Sequence, residues 1–167
     1  MAGRERILLL GYGNPARGDD GLGPALIERI DALALHNLET RVDYQLCVED
    51  AMDIGHFEQV IFVDASLDVK PPYLHFTLPE SLTPNRLDTH SISPEALIHL
   101  ARTLFGARTR ASILAIRGYE FEPFCESLSA QAELNLSAAF TYLTELLRER
   151  MEVDAELKER SHLCNRM

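Results

Sequence analysis

Tryptophan is absent from the 167 residues, and the only cysteines are Cys47, Cys125 and Cys164, an odd number with wide spacing and no Cys-x-x-Cys pair. Such spacing argues against both a disulfide framework and a structural zinc site. Cys47 reads as a small core residue in a strand and Cys164 as part of a polar tail. A nucleophilic Cys125 is disfavoured because Glu122 and Glu126 beside it oppose a thiolate. Long apolar runs are missing too, none approaching the roughly 18 residues of a membrane span. The short Ile7–Leu10 run behind Arg4 and Arg6 lacks the length and the cleavage site of a signal peptide. The expectation is a cytoplasmic protein with no membrane attachment. Positive charge is scarce, with a formal net charge of −10 and a pI near 5.0, which argues against a nucleic-acid partner. Gly-x-Ser-x-Gly, His-Glu-x-x-His and phosphate-loop motifs are all lacking, so serine, thermolysin-type and nucleotide hydrolases lose ground.

What is present centres on residues 7–24. Ile7-Leu8-Leu9-Leu10 is a short buried strand, stopped by Gly11-Tyr12-Gly13-Asn14-Pro15. The loop closes on adjacent carboxylates, Asp19 and Asp20, between Gly18 and Gly21, at a strand's carboxyl end where open α/β sheets place ligands. Gly11-x-Gly13-x-x-Ala16 fits a permissive dinucleotide fingerprint, but Pro15 to Gly21 delay the helix and two carboxylates repel a pyrophosphate. One acid is expected to cap helix one. The other is then surplus to capping and suggests a hard-cation site or acid–base work.

Downstream, Leu22, Ala25, Leu26, Ile30 and Leu33 form a helical stripe from about Gly21, with Pro24 in the first turn. Alternation of Val42, Tyr44, Leu46 and Val48 predicts a second strand, and Glu49-Asp50 open a short helix ending near Gly55. Val60-Ile61-Phe62-Val63 reads as a central strand ending at Asp64. Tyr73 to Thr77, behind Pro71 and Pro72, predicts an antiparallel strand near an edge. A polar loop from Pro79 to Asp88 leads to Thr89-His90, and Ser93-Pro94 start a helix that stops near Gly106. Ala111 to Ile116 give the last strand, Arg117 to Phe124 an exit loop, and Ala132, Leu136, Ala139, Phe140, Leu143 and Leu147 a long terminal helix. The expected fold is α/β: a three-layer α/β/α sandwich with a mostly parallel twisted sheet, phosphorylase/hydrolase-like. Residues 1–150 are read as a single domain and 151–167 as a helical extension or flexible tail.

Short crossovers bring Asp19, Asp20, Glu49, Asp64, His90 and the Arg117 loop to one sheet edge. Asp20, Asp64 and His90 supply oxygen and nitrogen ligands from three loops and leave coordination positions open. Alternatively, two aspartates sharing a site split their pKa values and act as acid and base toward a water. The residues alone support either a hydrolase or a metal-recognition protein.

Gly11-Tyr12-Gly13-Asn14 through Asp19-Asp20-Gly21-Leu22-Gly23, then Ile61-Phe62-Val63-Asp64-Ala65, then Thr89-His90 ahead of Ser93-Pro94, resemble the hydrogenase maturation protease family in order and spacing, from Ile7 to about Leu147. The resemblance implies an endopeptidase, classed with the aspartic peptidases, that removes the carboxyl-terminal extension of a nickel–iron hydrogenase large subunit precursor after nickel insertion. It implies Asp20, Asp64 and His90 as the metal-contacting and catalytic positions, with nickel supplied by the substrate and no organic cofactor. Where many members carry Asp-Gly-Gly-Thr after the second strand, this chain has Val48-Glu49-Asp50-Ala51, so Glu49 is either a further acid in the cleft or part of a loop that reads a different large subunit. The Arg117-Gly118-Tyr119-Glu120-Phe121-Glu122 loop resembles a feature of one branch, or is a surface loop with Tyr119 and Phe121 packed beneath it. The competing functions are a non-catalytic nickel-site checking or chaperone protein for hydrogenase assembly, and a small α/β hydrolase with another substrate.

Overall fold

The computed structural model describes residues 5–81 and 92–164, with backbone only at 154 and 157–164. In chain order the elements are β1 (Ile7–Tyr12), a 3-10 turn (Gly18–Gly21), α1 (Leu22–Asp31), β2 (Leu38–Asp43), α2 (Asp50–Ile54), β3 (Gln59–Ser66), β4 (Tyr73–Thr77), α3 (Pro94–Phe105), β5 (Arg110–Arg117) and α4 (Ala130–Cys164). The sheet runs β2-β1-β3-β5-β4. Its first three pairings are parallel and only β4 is antiparallel, paired with β5 at the edge.

Strand alternation sorts the core into two layers. Ile7, Leu9, Ile61, Val63, Leu114 and Ile116 pack against Leu26 and Ile30 of α1 and Leu136 and Leu143 of α4. Leu8, Leu10, Val60, Phe62, Ala111 and Ile113 face Ala51 and Ile54 of α2 and Leu97, Ile98 and Ala101 of α3 on the other side. Burial on both faces is why β1 and β3 read as unbroken apolar runs. The ends of α3 follow local chemistry: the Ser93 hydroxyl accepts from the Ala96 N–H at 3.2 Å, Pro94 opens the helix, and Gly106 closes it at φ 64°.

Two expectations are corrected. β2 spans Leu38–Asp43 rather than Val42 to Val48. It is an edge strand bonded only to β1; Val42 lies within it and is exposed, while the rest of the alternation belongs to the following loop, in which Tyr44 and Val48 are exposed and Leu46 is buried. Cys47 therefore lies exposed in that loop and is not a core residue. Slight desolvation and the charges of the nearby Asp50, Glu49 and Asp43 push its thiol up, which keeps it protonated.

Candidate active site

β1 lies between β2 and β3 in the sheet. The chain leaves β1 to one side for β2 and returns on the other for β3, so the crevice at the carboxyl ends of β1 and β3 is a topological switch point, the usual ligand position in open α/β sheets. The first turn of α1 is pressed into that crevice. A Cβ on Gly23 would stand 2.6 Å from the carbonyl oxygens of both Tyr12 and Val63, so only glycine allows the helix to come so close to both strands. Gly13 has φ +135°, and a Cβ there would lie 2.0 Å from the Asp20 carbonyl oxygen. The close approach permitted by the Gly-x-Gly pattern is thus to the chain's own Asp20 turn.

Asp20 is half-buried in this turn, its Oδ2 accepting from the Asn14 N–H at 2.9 Å. Asp64 sits near the end of β3, opposite Ala115 of β5, with Oδ1 accepting from the Ala65 N–H at 2.8 Å. Burial pushes the Asp64 carboxyl up to about 6; the neighbouring Asp20 charge adds to that, while the Tyr12 phenol and the Ala65 N–H pull the other way. The two carboxylates thus share one crevice and differ in environment. A group that gains and loses its proton near neutrality suits acid–base exchange with a bound water.

His90, the third residue singled out in the sequence, lies outside the described residues. Among the described residues no set of three Asp, Glu, His or Cys side chains is arranged to hold a metal ion. Asp20 and Asp64 are oxygen donors of the kind that divalent cations take, and they leave most of a coordination sphere open.

Asp19 belongs to the scaffold. It is fully buried, and its carboxylate accepts from the N–H groups of Tyr119 at 2.7 Å, Glu120 at 3.0 Å and Ser129 at 2.7 Å, and from the Ser129 hydroxyl at 2.8 Å. Burial alone would raise its pKa. The hydrogen bonds from Glu120, Ser129 and Tyr119 outweigh that and hold it below the usual carboxylate range. Neither aspartate caps α1, contrary to expectation: the helix begins after Gly21 with no side-chain cap. The Arg117 loop is bound to the same turn, through Gly18 N–H to the Cys125 carbonyl at 2.6 Å and Asp19 N–H to the Glu120 carbonyl at 2.8 Å. Tyr119 packs against the core layer beneath α4, and Glu49 is exposed at the start of α2.

Two site residues escaped the sequence reading. Tyr12, the last residue of β1, brings its phenol to the Asp64 carboxyl, and burial together with the charges of Asp64 and Glu95 holds that phenol protonated far above its ordinary range. Glu95, in the first turn of α3, faces the same tyrosine. The only signal for Tyr12 is a large polar-tipped ring between two glycines at a strand's carboxyl end, and Glu95 resembles any acid favoured in a first helical turn.

No protein-family model and no curated protein sequence matches the chain. Solved structures do. NiFe hydrogenase maturation protease HycI from Thermococcus kodakarensis KOD1 superposes with a TM-score of 0.68 at 19% identity, over 88% of this chain and 95% of that one. Hydrogenase 2 maturation peptidase from a Thaumarchaeota archaeon gives 0.62 at 23% identity over 85% and 97%, and the hydrogenase-maturating endopeptidase HybD from E. coli gives 0.62 at 22% over 86% and 93%. The fold of this chain is that of the hydrogenase maturation proteases.

Proposed function

We propose that the protein is an endopeptidase of aspartic type that acts in the cytoplasm and removes the carboxyl-terminal extension of a nickel–iron hydrogenase large subunit precursor once nickel has been inserted. The observation that supports this reading is the meeting of Asp20 and Asp64 at the switch point, one carboxylate fixed by a backbone N–H and the other tuned toward neutrality. The likeness in fold to proteases named for hydrogenase maturation supports it from a second direction. In this proposal the nickel is part of the substrate. Asp20, Asp64 and His90 contact it and hold the scissile peptide beside it, so cleavage is conditional on a loaded precursor. The attacking water is activated either by that nickel or by Asp64 as general base, with the Tyr12 phenol stabilising the ionised carboxylate.

Intact-mass spectrometry of a nickel-loaded large subunit precursor, before and after incubation with the protein, tests the proposal. A loss of mass equal to a short carboxyl-terminal peptide, seen only with nickel present, is the expected result. A stable complex with unchanged mass would replace the peptidase with a binding-only checking protein, and neither cleavage nor complex would overturn the hydrogenase connection.

A further inference from the structure

A second polar cavity lies at the other end of the sheet. Thr77 of β4 pairs with Ser112 near the start of β5, whereas Asp64 pairs with Ala115. Between β4, β5 and α4 is a cavity of about 200 Å³ lined by Gln59, His75, Thr77, Arg110, Ser112 and Arg150, together with Ala111. Its polar lining carries two guanidinium groups and no carboxylate. Arg110 is paired to Glu5, which is not among the lining residues. Arg150 donates to the Gln59 side-chain oxygen and forms no ion pair among the described residues. Burial and the neighbouring Arg110 charge weigh against the Arg150 cation and outweigh the opposing effect of Tyr142.

The uncharged groups form a connected chain beside the arginines. His75 Nδ1 lies 2.6 Å from the Tyr142 hydroxyl and Nε2 lies 2.9 Å from the Ser112 hydroxyl. Burial and Arg150 hold the imidazole below its usual range, so the ring is neutral at pH 7. The neutral ring therefore links the two hydroxyls, accepting from one and donating to the other. A larger depression of about 510 Å³ shares Thr77 and Arg110 with this cavity and adds Leu78, Arg102 and Arg108, with Glu80 its one carboxylate.

We propose that the cavity between Arg110 and Arg150 binds a tetrahedral oxyanion, either inorganic phosphate or the phosphoryl group of a small phosphorylated molecule whose remainder lies in the adjoining depression. Forked guanidinium groups match phosphate oxygens in pairs, and a lining with two guanidinium groups and no carboxylate disfavours a cation.

Titration calorimetry of the full chain tests this with inorganic phosphate and, in parallel, glycerol 3-phosphate, at constant ionic strength set by chloride. Saturable binding at one site per chain is expected, weakened at least about tenfold by Arg150→Gln. Arg108→Gln, altered only in the adjoining depression, should leave phosphate binding unchanged. Arg110→Gln provides a second variant if Arg150→Gln alters the melting temperature. Tighter binding of glycerol 3-phosphate than of phosphate assigns a phosphorylated molecule as the ligand, and the reverse assigns the free anion. Lack of saturation by either probe, or equal affinity in the Arg150→Gln and Arg110→Gln variants and the parent chain, overturns the proposal.

Discussion

At the scale of single residues, the adjacent acids Asp19 and Asp20 do unlike work. Asp19 is buried and accepts four hydrogen bonds, three on Oδ2 and one on Oδ1, so Asp19→Asn, whose NH2 group must face at least one of those donors, should cost about 3 kcal/mol in chemical denaturation. The sign with pH follows from its lowered pKa: the Asp19 contribution is full above its unfolded value and lost as pH falls through the folded one, so the variant should show a flatter acid limb of stability. Asp20→Asn should keep the melting temperature within a few degrees and abolish precursor cleavage, as should His90→Ala; full activity in either removes that residue from the site. Asp64 has the opposite linkage. Its pKa is raised to about 6, so its stabilising effect is complete below the unfolded value and disappears as pH rises through 6. Asp64→Asn should therefore raise stability at pH 7.5, by on the order of 1–3 kcal/mol, with little gain at pH 4, while eliminating cleavage. Tyr12→Phe removes a hydrogen bond that favours ionised Asp64, so the acid limb of the activity profile should move to higher pH.

At the scale of elements, α1 is held in contact with β1 and β3 by having no side chain at Gly23. Gly23→Ala would set a methyl 2.6 Å from two carbonyl oxygens, neither able to move without its strand. Circular-dichroism melts should show a loss of more than about 3 kcal/mol, and any folded fraction should cleave poorly because α1 and the Asp20 turn shift together. Elements were legible in the sequence where local chemistry and tertiary burial agree. The apolar runs of β1 and β3, the Ser93-Pro94 start and the Gly106 stop of α3 are examples. β2 was displaced because an edge strand is half-exposed and shares its composition with the loop after it. The placing of Asp20 and Asp64 in one crevice was legible, since each is an acid at the carboxyl end of an apolar strand. The division of labour between Asp19 and Asp20 was not, because the partners of Asp19 are 100 to 110 positions away. Tyr12 was hidden for the same reason: its meaning lies in a neighbour supplied by β3.

At the scale of the whole molecule, the last described residue of α4 in the core is Leu147, although the helix continues to Cys164. A chain ended after Met151 should melt within a few degrees of the full-length protein and retain its site; a collapse in stability would show that the final turns of α4 belong to the domain. The sheet carries the paired acids at one end and the arginine-lined cavity at the other, so ligands at the two do not compete for space. The clasp of Asp19 on Tyr119, Glu120 and Ser129 ties the first loop of the chain to one of the last. During synthesis the Asp20 turn therefore waits, its anchor unmade, until the ribosome has released the residues through Ser129 and α4 has begun to dock. A nascent polypeptide that stops short of Ser129 carries both acids yet lacks the clasp that fixes the crevice, and competence arrives only once that clasp and the first turns of α4 are made.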